Sequence, residues 1–256
     1  MNKKRFLCFQ FLFIFLIPAF TTELTGKYSS EDCYISFQEP NYTFYELDMM
    51  TGEQQYISGT YKTTTDDYNN KIVILENFKN ENLSLRYFLF DEFLILYNNQ
   101  NSPWFLGNIK TSRRLESIVS TKISATSYLT EGEKKYIPDN LSLWGHLDYV
   151  WAEGNKSSGI GEKLYIENKS FKNLYILPGF VSVTRPDLYK KNNRPKTIRI
   201  TAGVYSKDYL LKDEPCFQTI KLEIPITEDL ITLEIIDIYA GTHYNDTCIT
   251  SILCQM

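Results

Sequence analysis

Apolar and polar residues alternate in short runs along most of the chain, and turn-forming residues separate the runs. Successive side chains on a strand point to opposite faces, so a period of two marks β-structure. Between Gly26 and Gly107 such runs occur at Cys33 to Phe37, Tyr42 to Leu47, Gln55 to Thr60, Lys71 to Leu75, Leu83 to Phe88 and Phe93 to Tyr97. Met50 to Glu53, Asp66 to Asn70, Phe78 to Asn82 and Asn98 to Pro103 supply the Gly, Asn and Asp that tolerate hairpin backbone angles. From Ile118 the runs continue at Lys163 to Ile166, Leu174 to Ile176, Phe180 to Val183, Thr197 to Thr201, Thr219 to Ile226 and Leu230 to Tyr239. Ile220, Leu222, Ile224 and Ile226 alternate with Lys221, Glu223 and Pro225, the pattern of a sheet with one face on a core. No stretch shows sustained helical amphipathicity or an internal repeat. The pattern predicts an all-β chain.

Charge divides it in two. Lys3, Lys4 and Arg5 precede an apolar run from Phe6 to Phe20, the layout of a secretory signal peptide, and cleavage is expected between Ala19 and Thr22. The run falls short of the roughly 20 apolar residues of a membrane span, and no later segment is long enough. Without residues 1–22, 24 basic residues face 31 acidic ones, a formal charge of −7. Up to Lys110 the remainder holds 6 basic and 13 acidic residues, whereas Thr111 to Met256 holds 18 of each. The shift, with the polar connector Asn108 to Leu115, predicts a small β domain over 23–110 and a second domain over 111–256. Residues 117–256 are then expected to fold alone. The expected location is periplasmic, cell-surface or extracellular.

Cys33, Cys216, Cys248 and Cys254 remain after processing, and one disulfide beside buried or free thiols is expected in an oxidising compartment. Their spacing, with His146 and His243 as the only histidines, gives no zinc-ligand pattern. Gly159-Ile160-Gly161 lacks the Gly-Lys-Ser/Thr ending and following helix of a phosphate loop, so a tight turn is expected. No Gly-x-Ser-x-Gly elbow occurs, and the adjacent pairs Asp213-Glu214 and Glu228-Asp229 would lie on opposite strand faces, a poor arrangement for acid/base chemistry. The expectation is a non-enzyme without cofactor or metal, and an acidic exported chain is a poor partner for nucleic acid.

Several motifs follow one another in a recognisable order. They are Ile123-Ser124-Ala125-Thr126-Ser127, Tyr136-Ile137-Pro138-Asp139-Asn140-Leu141, Tyr149-Val150-Trp151-Ala152-Glu153-Gly154, Gly159-Ile160-Gly161-Glu162 and Leu177-Pro178-Gly179-Phe180. Tyr189-Lys190-Lys191-Asn192-Asn193-Arg194-Pro195-Lys196-Thr197-Ile198 and the run Asp237 to Ile249 complete them. In this order they resemble the NADase-type glycan-binding domain family over residues 117–253. The resemblance implies a discoidin-like, galactose-binding-domain-like jelly-roll β-sandwich that binds carbohydrate. Trp144-Gly145-His146, Pro178 and Thr250-Ser251-Ile252 depart from the family pattern. The preceding Thr25-Gly26-Lys27-Tyr28 and its strands look like a lipocalin-like half-barrel, from which no ligand follows.

A sugar site needs an aromatic face for C–H groups and polar side chains for hydroxyls. Trp151, Tyr189, Tyr239 and Tyr244 are the aromatic candidates, with Glu153, Asn192, Asn193, Arg194, His243 and Asp246 as polar ones. Against these stand the plainer alternatives of a core tryptophan and of a turn in which Arg194-Pro195 enters the next strand. From Arg185 to Arg199 six basic residues meet only Asp187, a patch that could attract an anionic glycan. The leading expectation is an exported, non-catalytic carbohydrate- or glycoconjugate-binding protein; a structural or protein-adhesion module of the cell envelope is the alternative.

Overall fold

The structure is a computed structural model that describes residues 24–30, 32–97, 103–108, 116–117, 122–142, 146–167, 171–226 and 230–255. The expected signal peptide lies outside the described residues. Among these, no helix is long and apolar enough to cross a membrane.

Eight antiparallel strands, β1 (Gly26–Ser29), β2 (Cys33–Gln38), β3 (Asn41–Leu47), β4 (Gln54–Thr65), β5 (Lys71–Phe78), β6 (Glu81–Phe90), β7 (Phe93–Tyr97) and β8 (Pro103–Asn108), pair in sequence order. Tyr28↔Asn108 and Ser29↔Gly107 join the last strand to the first. The half-barrel suggested by the sequence therefore closes completely, in the up-and-down order of a lipocalin, and has no free edge. An eight-stranded barrel is just wide enough for its own side chains. Ile35, Phe37, Phe44, Val73, Leu75, Leu85, Leu94 and Leu96 fill this one.

The remaining strands form a sandwich. One sheet orders β10 (Ile123–Ala125), β14 (Lys163–Glu167), β19 (Leu230–Tyr239), β16 (Arg194–Ala202) and β17 (Tyr205–Leu210). The other orders β13 (Trp151–Ala152), β20 (Cys248–Gln255), β15 (Phe171–Pro178) and β18 (Gln218–Ile226), with β9 (Glu116–Ser117) also on β20. Leu164, Ile198, Ile200, Leu233 and Ile235 of the first sheet pack on Leu174, Ile176, Ile220, Ile249 and Ile252 of the second. A separate hairpin, β11 (Thr130–Glu131) with β12 (Lys134–Lys135), and a four-residue helix, α1 (Leu188–Lys191), stand at the sandwich rim. This is the discoidin-like β-sandwich that the motif order implied.

Strand β15 is buried on both faces. Leu174 and Ile176 enter the sandwich core, while Tyr175 and Leu177 join Phe88, Phe90, Phe93, Ile95 and Tyr97 from the outer wall of the barrel. Asp91, at the turn between β6 and β7, accepts hydrogen bonds from Tyr175 Oη and Thr219 Oγ1, both 3.2 Å long. Barrel and sandwich thus share a third cluster of buried side chains.

Three readings change. Phe180 to Val183 is an irregular segment that leaves the sheet after β15. The unexpected strand β20 carries Thr250 and Ser251 in its middle, yet both are buried, their hydroxyls donating to the carbonyls of Gly179 (2.6 Å) and Leu141 (3.3 Å). The expected disulfide does not form among the described residues, because the four cysteines stand apart: Cys33 lies beside the barrel core, Cys216 beside the shared cluster, Cys254 in the sandwich core and Cys248 below the rim.

Candidate functional site

Several short elements converge at the sandwich rim on a cavity of ≈ 350 Å³. The β11–β12 hairpin pairs Glu131 with Lys134 and delivers Tyr136, whose hydroxyl donates to Glu131 Oε2 at 2.9 Å. Opposite stands Phe180, its ring edge-on to Tyr136 with centroids 6.3 Å apart. Lys134 Nζ lies above both rings, 4.8 Å from the Tyr136 centroid and 5.8 Å from that of Phe180. Asp148, Ser182, Thr184 and Arg185 form a polar side, and Tyr244, Asp246 and Cys248 close the third. Gly179 makes the exit from β15 possible, because it holds φ +83° and a Cβ there would meet the Arg194 stem at 2.6 Å and the Tyr189 ring at 2.7 Å.

Of the residues singled out from sequence, Asn192, Tyr244 and Asp246 line this cavity. Trp151 is fully buried in the sandwich core, its indole N–H donating to Ser127 O at 3.1 Å. Tyr189 lies under Gly179, and burial raises its pKa. Asn193 accepts from Gly241 N at 2.7 Å and donates to Asn245 O, pinning the loop 240–247 from below. Arg194 opens β16, its Nε and Nη2 on the Asp213 carboxylate at 3.0 and 2.9 Å, its Nη1 on the carbonyls of Asn192 and Ala240 at 2.9 and 3.0 Å. Both side chains are buried with their polar groups engaged within the protein, so the plainer turn-and-strand alternative describes them. His243 is exposed on the same loop, its Nδ1 2.8 Å from Thr242 Oγ1.

The site residues that sequence reasoning missed, Tyr136 and Phe180 above all, belong to two motif stretches already identified. What was missing was the pairing of those stretches across the rim. The basic patch also changes character. Arg185 and Lys191 pair with Asp187, Lys190 and Arg194 with Asp213, Lys196 with Asp237 and Arg199 with Asp208. Three of those four carboxylates come from outside Arg185–Arg199, so most of the patch is neutralised and six cations against four carboxylates leave two net positive charges.

Burial, followed by the charge of Glu131, raises the pKa of Asp246. Burial also raises the Cys248 thiol, reinforced by Asp246, Glu153 and Glu131, which keeps it protonated and a weak nucleophile. Behind the cavity wall, Glu153 is fully buried with Oε1 lacking a hydrogen bond, and burial pushes its pKa up to about 7. Gly159 (φ +80°) lies against it, because a Cβ there would meet Glu153 Cγ at 2.9 Å and Thr247 Cβ at 2.8 Å. Glu162 N donates to Gly159 O at 3.1 Å, so the glycine pair makes the tight turn expected of it.

Residues 115–255 match the NAD glycohydrolase translocation F5/8 type C domain. No curated protein matches the chain. Among solved structures, the family 32 CBM (carbohydrate-binding module) of Clostridium perfringens NanJ, in complex with galactose, is similar with a TM-score of 0.41 and 15% identity, covering 56% of this chain and 99% of that one. CpGH89CBM32-5 from the same organism, in complex with GalNAc-β-1,3-galactose, gives 0.41 and 14%, covering 55% and 98%. Allantoicase gives 0.34 and 13%, covering 89% and 71%.

Proposed function

Because the chain belongs to the NAD glycohydrolase translocation F5/8 type C domain family, we propose that it is an exported, non-catalytic protein that binds a carbohydrate or glycoconjugate in the rim cavity. One observation carries the reading: the rings of Tyr136 and Phe180 share a hollow with the oxygens of Asp148, Ser182, Thr184 and Asp246. A sugar ring has apolar C–H faces and a rim of hydroxyls, so it needs aromatic surface and converging polar groups together. The volume falls at the small end of ligand sites, about 300–1,000 Å³, which suits one or two sugar units. Asn192 and Asp246 are the polar contacts retained from the sequence reading. Asn193, Arg194, Tyr189, Trp151 and Glu153 serve as the support that holds the rim in shape, and His243 flanks it.

A glycan array probed with the full chain tests this reading, with galactose- and N-acetylgalactosamine-terminated glycans as first probes. Wild type is expected to select a defined set of sugars, and Phe180→Ala or Asp246→Asn to weaken that binding about tenfold or more while remaining folded. Unchanged binding in both folded variants would remove the cavity from consideration. One other reading has a specific observation behind it: Asp246 beside Glu131, with a raised pKa, is a pairing that hydrolases use. A parallel activity screen is expected to find no nicotinamide released from NAD and no glycan cleavage.

A further inference from the structure

The wall between the cavity and the barrel is a single irregular segment, and its side chains alternate between the two. Phe180, Ser182 and Thr184 line the cavity. Val181 and Val183 point the other way, into the cluster that the sandwich shares with Phe88, Phe90 and Tyr97 of the barrel. Ser182 is the joint. Its hydroxyl donates to Asp148, a cavity residue, and accepts the Arg185 N–H at 2.8 Å, while its carbonyl accepts Arg86 Nη1 of β6 at 2.8 Å. Thr184 Oγ1 donates to the same Asp148 oxygen at 3.2 Å.

Arg86 belongs to the barrel but faces out of it. Its neighbours Leu85 and Tyr87 fill the interior, and across the strand it stands opposite Tyr97. Burial lowers the Arg86 pKa, the cost of drawing a cation to this boundary, and Asp66 and Asp148 oppose that shift. A crevice of ≈ 150 Å³ between Asp66, Ile72, Arg86, Tyr97, Val183 and Pro186 runs along the barrel side of the wall. On the sandwich side, Val181 N donates to Thr250 Oγ1 at 2.9 Å, so the segment is held from both directions.

We infer that the barrel is the backing of the binding cavity, and that Arg86 is a positioning residue which sets the Ser182–Asp148–Thr184 side of it. The inference rests on the carbohydrate reading of that cavity. A polar wall one chain thick keeps its geometry only if its far face is fixed, and a binding group displaced by a fraction of an ångström loses much of its hydrogen bonding. The backing consists of one charged hydrogen bond and two valines, so the barrel is part of the site although no barrel residue lines the cavity.

The experiment compares full-length wild type, Arg86→Met and Arg86→Lys by calorimetric titration with galactose and N-acetylgalactosamine, and by hydrogen exchange, at a temperature where all three are fully folded. Arg86→Met is expected to raise Kd about tenfold and to speed amide exchange at Val181 to Arg185 by a similar factor, leaving the sandwich core protected. Arg86→Lys, which keeps a donor within reach of Ser182 O, should recover part of both. Loss of a purely structural contact would lower the melting midpoint without moving Kd in the folded protein. Unchanged exchange at Val181 to Arg185 in Arg86→Met overturns the inference, whatever the ligand. Faster exchange without any sugar binding by wild type overturns the carbohydrate reading and leaves the brace standing.

Discussion

At the scale of single residues, two buried charged groups behave differently from what their types suggest. Arg194 sits in a motif that invites a ligand contact, yet each of its nitrogens is engaged within the protein. Removing the guanidinium leaves two carbonyls without their donor and Asp213 with Lys190 alone, and losing hydrogen bonds to a charged group of this kind costs about 1.5–3 kcal/mol. Arg194→Ala is therefore expected to destabilise the chain by about that amount in a denaturant melt, and Arg194→Lys by less, because lysine keeps the charge without the fork. Glu153 makes a prediction about pH. Its folded pKa of about 7 lies above the ordinary 4.5, so the native state binds its proton more tightly than the unfolded chain does. The stability this provides is complete below about pH 4.5 and is lost as pH rises toward 7. Glu153→Gln keeps the shape without the charge. Its melting midpoint should exceed that of wild type by a few degrees at pH 8 and match it near pH 5. Equal midpoints at both values would place the ionised carboxylate in a better-solvated site than its burial implies.

At the scale of elements, the strands that sequence located best are those with one wet face, where period two is clean. Lys71 to Leu75 and Thr219 to Ile226 were both legible in this way. Strand β7 was equally visible for a different reason: Leu94 and Leu96 face the barrel interior while Phe93, Ile95 and Tyr97 face the sandwich, so the whole run is apolar. That continuous run also signals a strand buried on both faces, and so a second body packed on the barrel. Strand β20 was hidden by buried hydroxyls that only tertiary partners satisfy. The cavity was half legible, since the motif order contained Tyr136 and Phe180 but could not bring them opposite each other. The shared cluster also alters what a fragment should do. Cutting at the polar connector would expose Tyr175, Leu177, Val181, Phe217 and Leu253 on the sandwich, each an apolar side chain whose burial stabilises by about 1.5–3 kcal/mol. Residues 117–256 alone are expected to self-associate and to melt below the full chain, by light scattering and calorimetry. A monomeric fragment with an unchanged melt would restore the independent unit expected from sequence.

At the scale of the whole molecule, charge decides which glycans can approach. The composition of residues 185–199 suggests attraction for an anionic sugar, but ion pairs to four carboxylates cancel most of the patch and leave two of its six positive charges. Beyond them lies the overall balance of 27 basic against 31 acidic residues, with the excess of acid concentrated before Lys110, in the half that packs against the cavity wall. Glu131, Asp148 and Asp246 add three carboxylates to the cavity itself, against Lys134 above its rings and Arg185 held by Asp187. A neutral sugar does not respond to this field. An acidic one meets net repulsion, and added salt screens repulsion as it does attraction, over about 10 Å at 0.1 M. The sign of the salt effect therefore separates the two pictures. Titration at about 0.02 and 0.3 M salt is expected to show unchanged affinity for a neutral sugar. For a uronate-bearing glycan, weak affinity should rise with salt. Affinity for an acidic glycan that is high at low salt and falls as salt is added would mean that the paired cations open toward ligand, and would return the basic patch to the site.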